Sequence, residues 1–209
     1  MKTSVSFLKS KVSREETIKK ITETDADYIH VDMMDGIFVE RSVLTIDEVK
    51  SSLKNSTKPL DIHLMVAYPK EYINELSNLN VSYITIHAEI TEELNELIDL
   101  IHSYGINAGI AINPDTDVSA IKSYLDNIEY VLIMGVTPGY GGQELMPVSV
   151  NKINELADLR EQYNYHYKIS FDGGVNNKTR KLLNGLDIIV SGSYVCEKDD
   201  FQEAINTLR

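Results

Sequence analysis

The chain has 209 residues, with 32 acidic against 20 basic side chains and a formal net charge of -12. That length suits one domain over residues 1–209 with a sizeable core, and an acidic balance without a basic face disfavours a nucleic-acid partner, whose phosphates need clustered Lys and Arg. The one cysteine, Cys196, excludes an internal disulfide and fits a reducing compartment; no stretch reads as a signal peptide or membrane span, so a cytoplasmic protein is expected.

Short β-branched or aromatic runs alternate with longer amphipathic ones along the whole chain. A first strand over 3–7 leads to a helix over 14–24, announced by Ser13 with Glu16 three residues on. A second strand over 27–32 runs into His30-Val31-Asp32-Met33-Met34-Asp35-Gly36. Residues two apart in an extended segment share a face, so His30 and Asp32 project together, an imidazole and a carboxylate of the kind a divalent metal takes. A helix over 45–53 and a strand over 59–65 follow, the strand ending Leu60-Asp61-Ile62-His63-Leu64-Met65. Next come a helix over 69–79, a strand over 82–87 ending on His87, and a helix over 91–104 with Gly105 placed for a C-cap. A strand over 107–112, a helix over 118–125 behind Asp117, and a strand over 130–136 lead to Gly135-Val136-Thr137-Pro138-Gly139-Tyr140-Gly141-Gly142-Gln143. The last units are a helix over 148–163, a strand over 166–172 entering Gly173-Gly174, a helix over 177–183, a strand over 187–191 entering Gly192-Ser193, and a helix over 199–208.

Strict alternation argues for a parallel sheet covered by helices. Eight strand–helix units, at about 26 residues each, favour closure into a (β/α)₈ TIM barrel. The competing open, doubly wound sheet would place a glycine-rich fingerprint after its first strand, and no glycine precedes Gly36.

Barrels of this kind work at the C-terminal ends of their strands. There the sequence brings His30, Asp32, His63 and Asp172 to one mouth, two nitrogen and two oxygen donors compatible with Zn, Fe(II), Mn or Co. Glycines after strands seven and eight sit where such barrels commonly hold a phosphate through backbone N–H groups. Gly142, Gly174 and Gly192 fit that contact, while Gly139 fits a turn. Met34, Met65 and Met134 lie at or just beyond strand ends, where methionine fills irregular gaps and can also form an apolar cover.

These blocks, with Asn113-Pro114 and Val175 after Gly174, resemble the ribulose-phosphate 3-epimerase family, in the family's order from the second strand to the eighth. The resemblance implies a metal-dependent epimerase interconverting D-ribulose 5-phosphate and D-xylulose 5-phosphate, a role in the pentose phosphate pathway, a ketose phosphate as small-molecule partner, and a homo-oligomer. It implies one divalent ion on His30, Asp32, His63 and Asp172. Asp32 and Asp172 would double as the acid–base pair, with Met34, Met65 and Met134 capping the intermediate. Substrate and phosphate contacts would come from Ser6, His63, Gly139, Gly141, Gly142, Gly173, Gly174, Gly192 and Ser193. Two carboxylates across the barrel mouth suit inversion, because one must take a proton from one face and the other return it to the opposite face.

Three loops depart from the family pattern: Ser6-Phe7-Leu8-Lys9-Ser10-Lys11, Ile37-Phe38-Val39-Glu40-Arg41, and Gly135 in place of serine or threonine. They surround the substrate, so a ketohexose phosphate such as allulose 6-phosphate is the alternative substrate. A non-catalytic sugar-phosphate-binding barrel would need no acid–base pair, and an imine-forming aldolase would want a lysine better placed than Lys168. His87 and Asp61 are expected to pack behind the metal ligands, and Asp35 to accept hydrogen bonds in a turn. Lys9, Arg41, His102 and His166 read as surface groups, and Cys196 as unreactive.

Overall fold

The computed structural model describes residues 1–90 and 93–209. Eight parallel strands close into a barrel: β1 (Lys2–Ser6), β2 (Tyr28–Asp35), then, after a short β3 (Ser42–Val43), β4 (Leu60–Met65), β5 (Val81–His87), β6 (Asn107–Ile112), β7 (Tyr130–Met134), β8 (Lys168–Asp172) and β9 (Ile188–Ser191). Each parallel strand pairs with the next in chain order, and β1 pairs with both β9 and β2, which completes the ring. The (β/α)₈ TIM barrel expected from the alternation is the fold.

The helices are α1 (Arg14–Glu23), α2 (Ile46–Leu53), α3 (Pro69–Leu76), α4 (Leu94–Ser103), α5 (Pro147–Tyr163), α6 (Ser193–Cys196) and α7 (Phe201–Asn206). Their starts follow the sequence signals. Ser13 accepts from the Glu16 amide, and Thr45 with Glu48 forms a full capping box. In α4 the buried residues are Leu94, Leu97, Ile98 and Ile101, the three-and-four spacing of a helix laid on a sheet. The first two residues of the helix expected over 91–104 lie outside the described residues.

Two expected helices are instead 3₁₀ segments, Val118–Tyr124 and Thr179–Leu182. The first buries Val118 and Ile121, three apart, a spacing that a 3₁₀ turn stacks as well as an α-helix does. In the second, the Asn176 side chain accepts from the amides of Lys178 and Thr179 and caps a turn that ends at Leu183. The helix expected over 199–208 contracts to α7, and α6 forms on residues read as loop. Strand β2 also runs three residues past its expected end, because Met34 and Asp35 pair with β3, a hairpin too short to read from sequence.

The core has two layers. Helix and outward strand side chains, such as Ile18, Val31, Ile62, Ile98 and Ile133, form the larger one. Tyr28, Ala111, Tyr130, Leu132, Met134, Ile188 and Val190 form a second cluster, with Tyr83 packed on it and stacked on Tyr130 at 4.7 Å. Along β7, Tyr130, Leu132 and Met134 share this second face, as the period of two requires. Its C-terminal end is the floor of the site.

Candidate metal centre and substrate cleft

The register of the strands sets the donors side by side. Asp32 on β2 pairs with His63 on β4, and Met34 with Met65 two residues on; across the barrel Met134 on β7 pairs with Asp172 on β8. One ligand atom each from His30, Asp32, His63 and Asp172 can be chosen so that all four lie within 4.8 Å of one another. His30 and His63 are fully buried and Asp32 nearly so, while Asp172 is partly open to the cleft. The four residues read as strand-end donors are thus together, although His30 and Asp32 stand inside a longer strand rather than at its end.

Each histidine is braced from behind. His30 Nδ1 lies 2.8 Å from Asp61 Oδ2, which also accepts from Ser4 Oγ at 2.8 Å. A carboxylate only accepts, so His30 carries a proton on Nδ1. Its Nε2 is buried without a hydrogen-bond partner, 3.3 Å from Asp32 Oδ1 and 3.9 Å from Asp172 Oδ2. Burial opposes charge on this ring, but the Asp61 and Asp32 carboxylates outweigh it and hold its pKa well above the ordinary imidazole value. Such a cluster demands a cation among its carboxylates, and an unpartnered nitrogen facing two carboxylates is what a two-His, two-Asp metal site presents. The residues fit a divalent ion.

The two aspartates are driven apart. Burial resists ionisation of Asp32, yet the charge of the neighbouring His30 outweighs it, and its pKa falls far below the usual carboxylate range. Ser6 Oγ donates to its Oδ2 at 2.7 Å. Asp172 is pushed up to about 6, by burial first and then by the charge of Asp32. Two carboxylates in one site therefore differ sharply in proton affinity.

A cleft of about 310 Å³ opens above this cluster. Ser6, Asp32, Asp172 and all three methionines line it, as do Gly139, Gly141, Gly142, Gly173, Gly174, Gly192 and Ser193. His30 and His63 do not reach its surface; His63, expected also as a substrate contact, lies beneath the floor. Gly174 has φ +67°, and a Cβ there would stand 2.5 Å from the Leu145 amide nitrogen, so backbone approaches backbone where only glycine fits. Gly135 is similar: a Cβ there would run into the Phe171 ring and the Gly173 carbonyl, so a serine or threonine would not fit without a shift.

Among the groups expected to be peripheral, Arg41, His166 and His102 do lie away from the cleft, His102 against Glu129 at 2.9 Å. Lys9 is half-exposed and paired with Glu197 at 3.2 Å, but it also lines the cleft along Gly141 and Gly142. Asp35 accepts three backbone amides, those of Ile37, Phe38 and Ala67. Cys196 is buried, and burial pushes its thiol up to about 12. The sequence reading missed Glu89. Its Oε2 lies 3.0 Å from His87 Nδ1, and His87 Nε2 lies 2.8 Å from His63 Nε2. The two-residue spacing His87-Ala88-Glu89 was the available signal, obscured because Glu89 lies in a turn beyond β5.

Residues 2–196 match the model of the ribulose-phosphate 3 epimerase family. The chain belongs to this family, whose named members are isomerases. It is 37% identical over 188 residues to a ribulose-phosphate 3-epimerase of Helicobacter pylori, covering 89% of this chain and 87% of that protein. It is also 37% identical over 196 residues to one of Methanocaldococcus jannaschii, with 93% and 83% covered. Among solved structures, a 3-hexulose-6-phosphate synthase from Salmonella typhimurium aligns with TM-score 0.71 at 15% identity, over 100% of this chain and 96% of that one. A 3-keto-L-gulonate-6-phosphate decarboxylase from Vibrio cholerae aligns with TM-score 0.68 at 12% identity, over 100% and 95%. At those identities the structures speak for the barrel alone. Among the described residues, no helix is long and apolar enough to cross a membrane.

Proposed function

We propose that this chain is a metal-dependent 3-epimerase interconverting D-ribulose 5-phosphate and D-xylulose 5-phosphate. The observation that carries the proposal is the placement of Asp32 and Asp172 in one four-donor cluster with His30 and His63, at the base of a cleft lined by Ser6 and the loop glycines. Asp32, held ionised between His30 and His63 and oriented by Ser6 Oγ, is the base that takes the C3 proton. Asp172, protonated more readily, returns a proton to the opposite face of the planar ene-diolate; in the reverse direction the roles exchange. A divalent ion such as Zn, Fe(II), Mn or Co on His30, Asp32, His63 and Asp172 would supply Lewis-acid stabilisation of the charge developing on the substrate oxygens. Met34, Met65 and Met134, each 2% exposed, give the floor an apolar wall that keeps water from the intermediate. The glycine-lined end of the cleft, from Gly139 to Gly142 with Gly173, Gly174, Gly192 and Ser193, takes the phosphate through backbone N–H groups.

The test is solvent exchange of the C3 proton, followed by NMR in D₂O with Zn- or Fe(II)-loaded protein, offering ribulose 5-phosphate and allulose 6-phosphate separately. Exchange on the pentulose is the expected result. Exchange on the hexulose alone would reassign the substrate to the ketohexose class, and exchange on neither would overturn the proposal in favour of a binding protein.

A further inference from the structure

The two histidines of the cluster are oriented by different means. On the side away from the cluster, His30 rests directly on the Asp61 carboxylate, whereas His63 meets a second imidazole, His87. Three contacts stand in a row: Glu89 Oε2 to His87 Nδ1 at 3.0 Å, His87 Nε2 to His63 Nε2 at 2.8 Å, and His63 Nδ1 to Asp32 Oδ1 at 3.1 Å. Both ends of this wire are carboxylate oxygens, which only accept, and the middle contact joins two nitrogens and needs one proton between them. An imidazole that binds a divalent ion does so as the neutral ring, and two neutral rings bring two protons to three contacts, so one ring nitrogen is bare.

Its position follows from the surroundings. Two bare nitrogens at 2.8 Å would set lone pair against lone pair, so the middle contact holds a proton. Among the described residues no Lys or Arg pairs with Glu89, and the Lys152 ammonium spends its donors on the carbonyls of Asn113, Pro114 and Thr116. The Asp32 end is where His30 Nε2 and Asp172 converge. We infer that Glu89, acting through His87, fixes the tautomer of His63, placing its proton on Nε2 and leaving Nδ1 bare for a divalent ion. The inference rests on the proposed metal reading of the four-residue cluster and adds Glu89 and His87 as positioning residues.

Glu89 is itself held in place. Its Oε1 accepts from the Asn113 amide at 2.8 Å and from Thr116 Oγ1 at 2.5 Å, which aims Oε2 at His87. These bonds and the one to His87 outweigh burial and keep Glu89 ionised, at about 2, so that its oxygens only accept.

The substitution Glu89→Gln should invert the wire. The Asn113 amide can only donate, so the glutamine oxygen stays with it and the NH₂ group turns to His87 Nδ1. His87 then carries its proton on Nε2, His63 accepts there, and the His63 proton moves to Nδ1, the atom that faces the ion. The experiment is long-range ¹H–¹⁵N NMR on the full-length, Zn(II)-loaded protein with ¹⁵N-histidine, together with Zn(II) affinity from chelator competition. Wild type should show His63 protonated on Nε2 and His87 on Nδ1, and Glu89→Gln should weaken Zn(II) on the order of 10- to 100-fold. A proton on His63 Nδ1 in the Zn(II)-bound wild type overturns the inference, and that spectrum decides the matter even if the variant does not fold. A folded Glu89→Gln variant with unchanged tautomers and affinity overturns it too. A wild-type protein that takes up no Zn(II) overturns the metal reading first, and the inference with it.

Discussion

Replacing Lys152 with methionine tests whether the loop behind the site is held from α5. Lys152 is 6% exposed, and its Nζ donates to Asn113 O at 2.7 Å, Pro114 O at 3.0 Å and Thr116 O at 2.6 Å. Methionine keeps the length and apolar stem but leaves those acceptors without their donor. Bonds from a charged group contribute about 1.5–3 kcal/mol each. Burial of the ammonium opposes them, as the lowered Lys152 pKa records, so the net loss is placed at about 3 kcal/mol rather than at the full sum. For a chain of this size that lowers Tm by about 6–12 °C. Urea unfolding and a thermal scan of the two proteins measure it. A loss under about 1 kcal/mol would refute the reasoning, since it would mean that the carbonyls are satisfied without Lys152. The same variant loosens the residues that hold Glu89, so Zn(II) affinity should fall with stability.

Asp35→Asn should destabilise by about 1–3 kcal/mol near neutral pH, because one of three backbone amides then faces an NH₂ group. Burial opposes ionisation of Asp35, but the amides of Ala67, Phe38 and Ile37 outweigh it and lower the pKa. The stabilisation is therefore full above the ordinary carboxylate value and lost as pH falls through the folded one. The gap between wild type and variant in urea titrations should close on acidification, and a gap that stays constant would refute the assignment. Gly174→Ala combines a φ of +67° with a Cβ 2.5 Å from the Leu145 amide nitrogen, so it should cost about 2–4 kcal/mol in urea unfolding. A near-neutral result would show that the 145 segment yields. Cys196, buried and with its thiol pushed up to about 12, should resist iodoacetamide at pH near 8 in the folded protein and react in urea. Rapid labelling of the native chain would contradict its placement.

What could be read from sequence is what a single strand's pleat determines. His30 and Asp32 declare a common face because they are two residues apart, and the alternation of elements places His63 and Asp172 at the same end of a barrel. Gly105, placed for a C-cap, likewise marked the end of α4. Length was less legible: Asn176 caps the residues that follow it, yet the helix expected over 177–183 shortens to a 3₁₀ turn. Groups whose work depends on a distant partner left no trace. Lys9 becomes a cleft residue only because β1 brings its loop against Gly141 and Gly142. Lys152 lies 36 to 39 residues from the carbonyls it holds, on a helix whose sequence shows only an ordinary lysine. Glu89 stands two residues from His87, a spacing visible to anyone, yet its meaning depends on His63, 24 residues before His87 and one strand over. The donors of this site are legible because each belongs to one strand. The groups that prepare those donors are shared between strands and loops, so the closed barrel has to exist before they can be recognised.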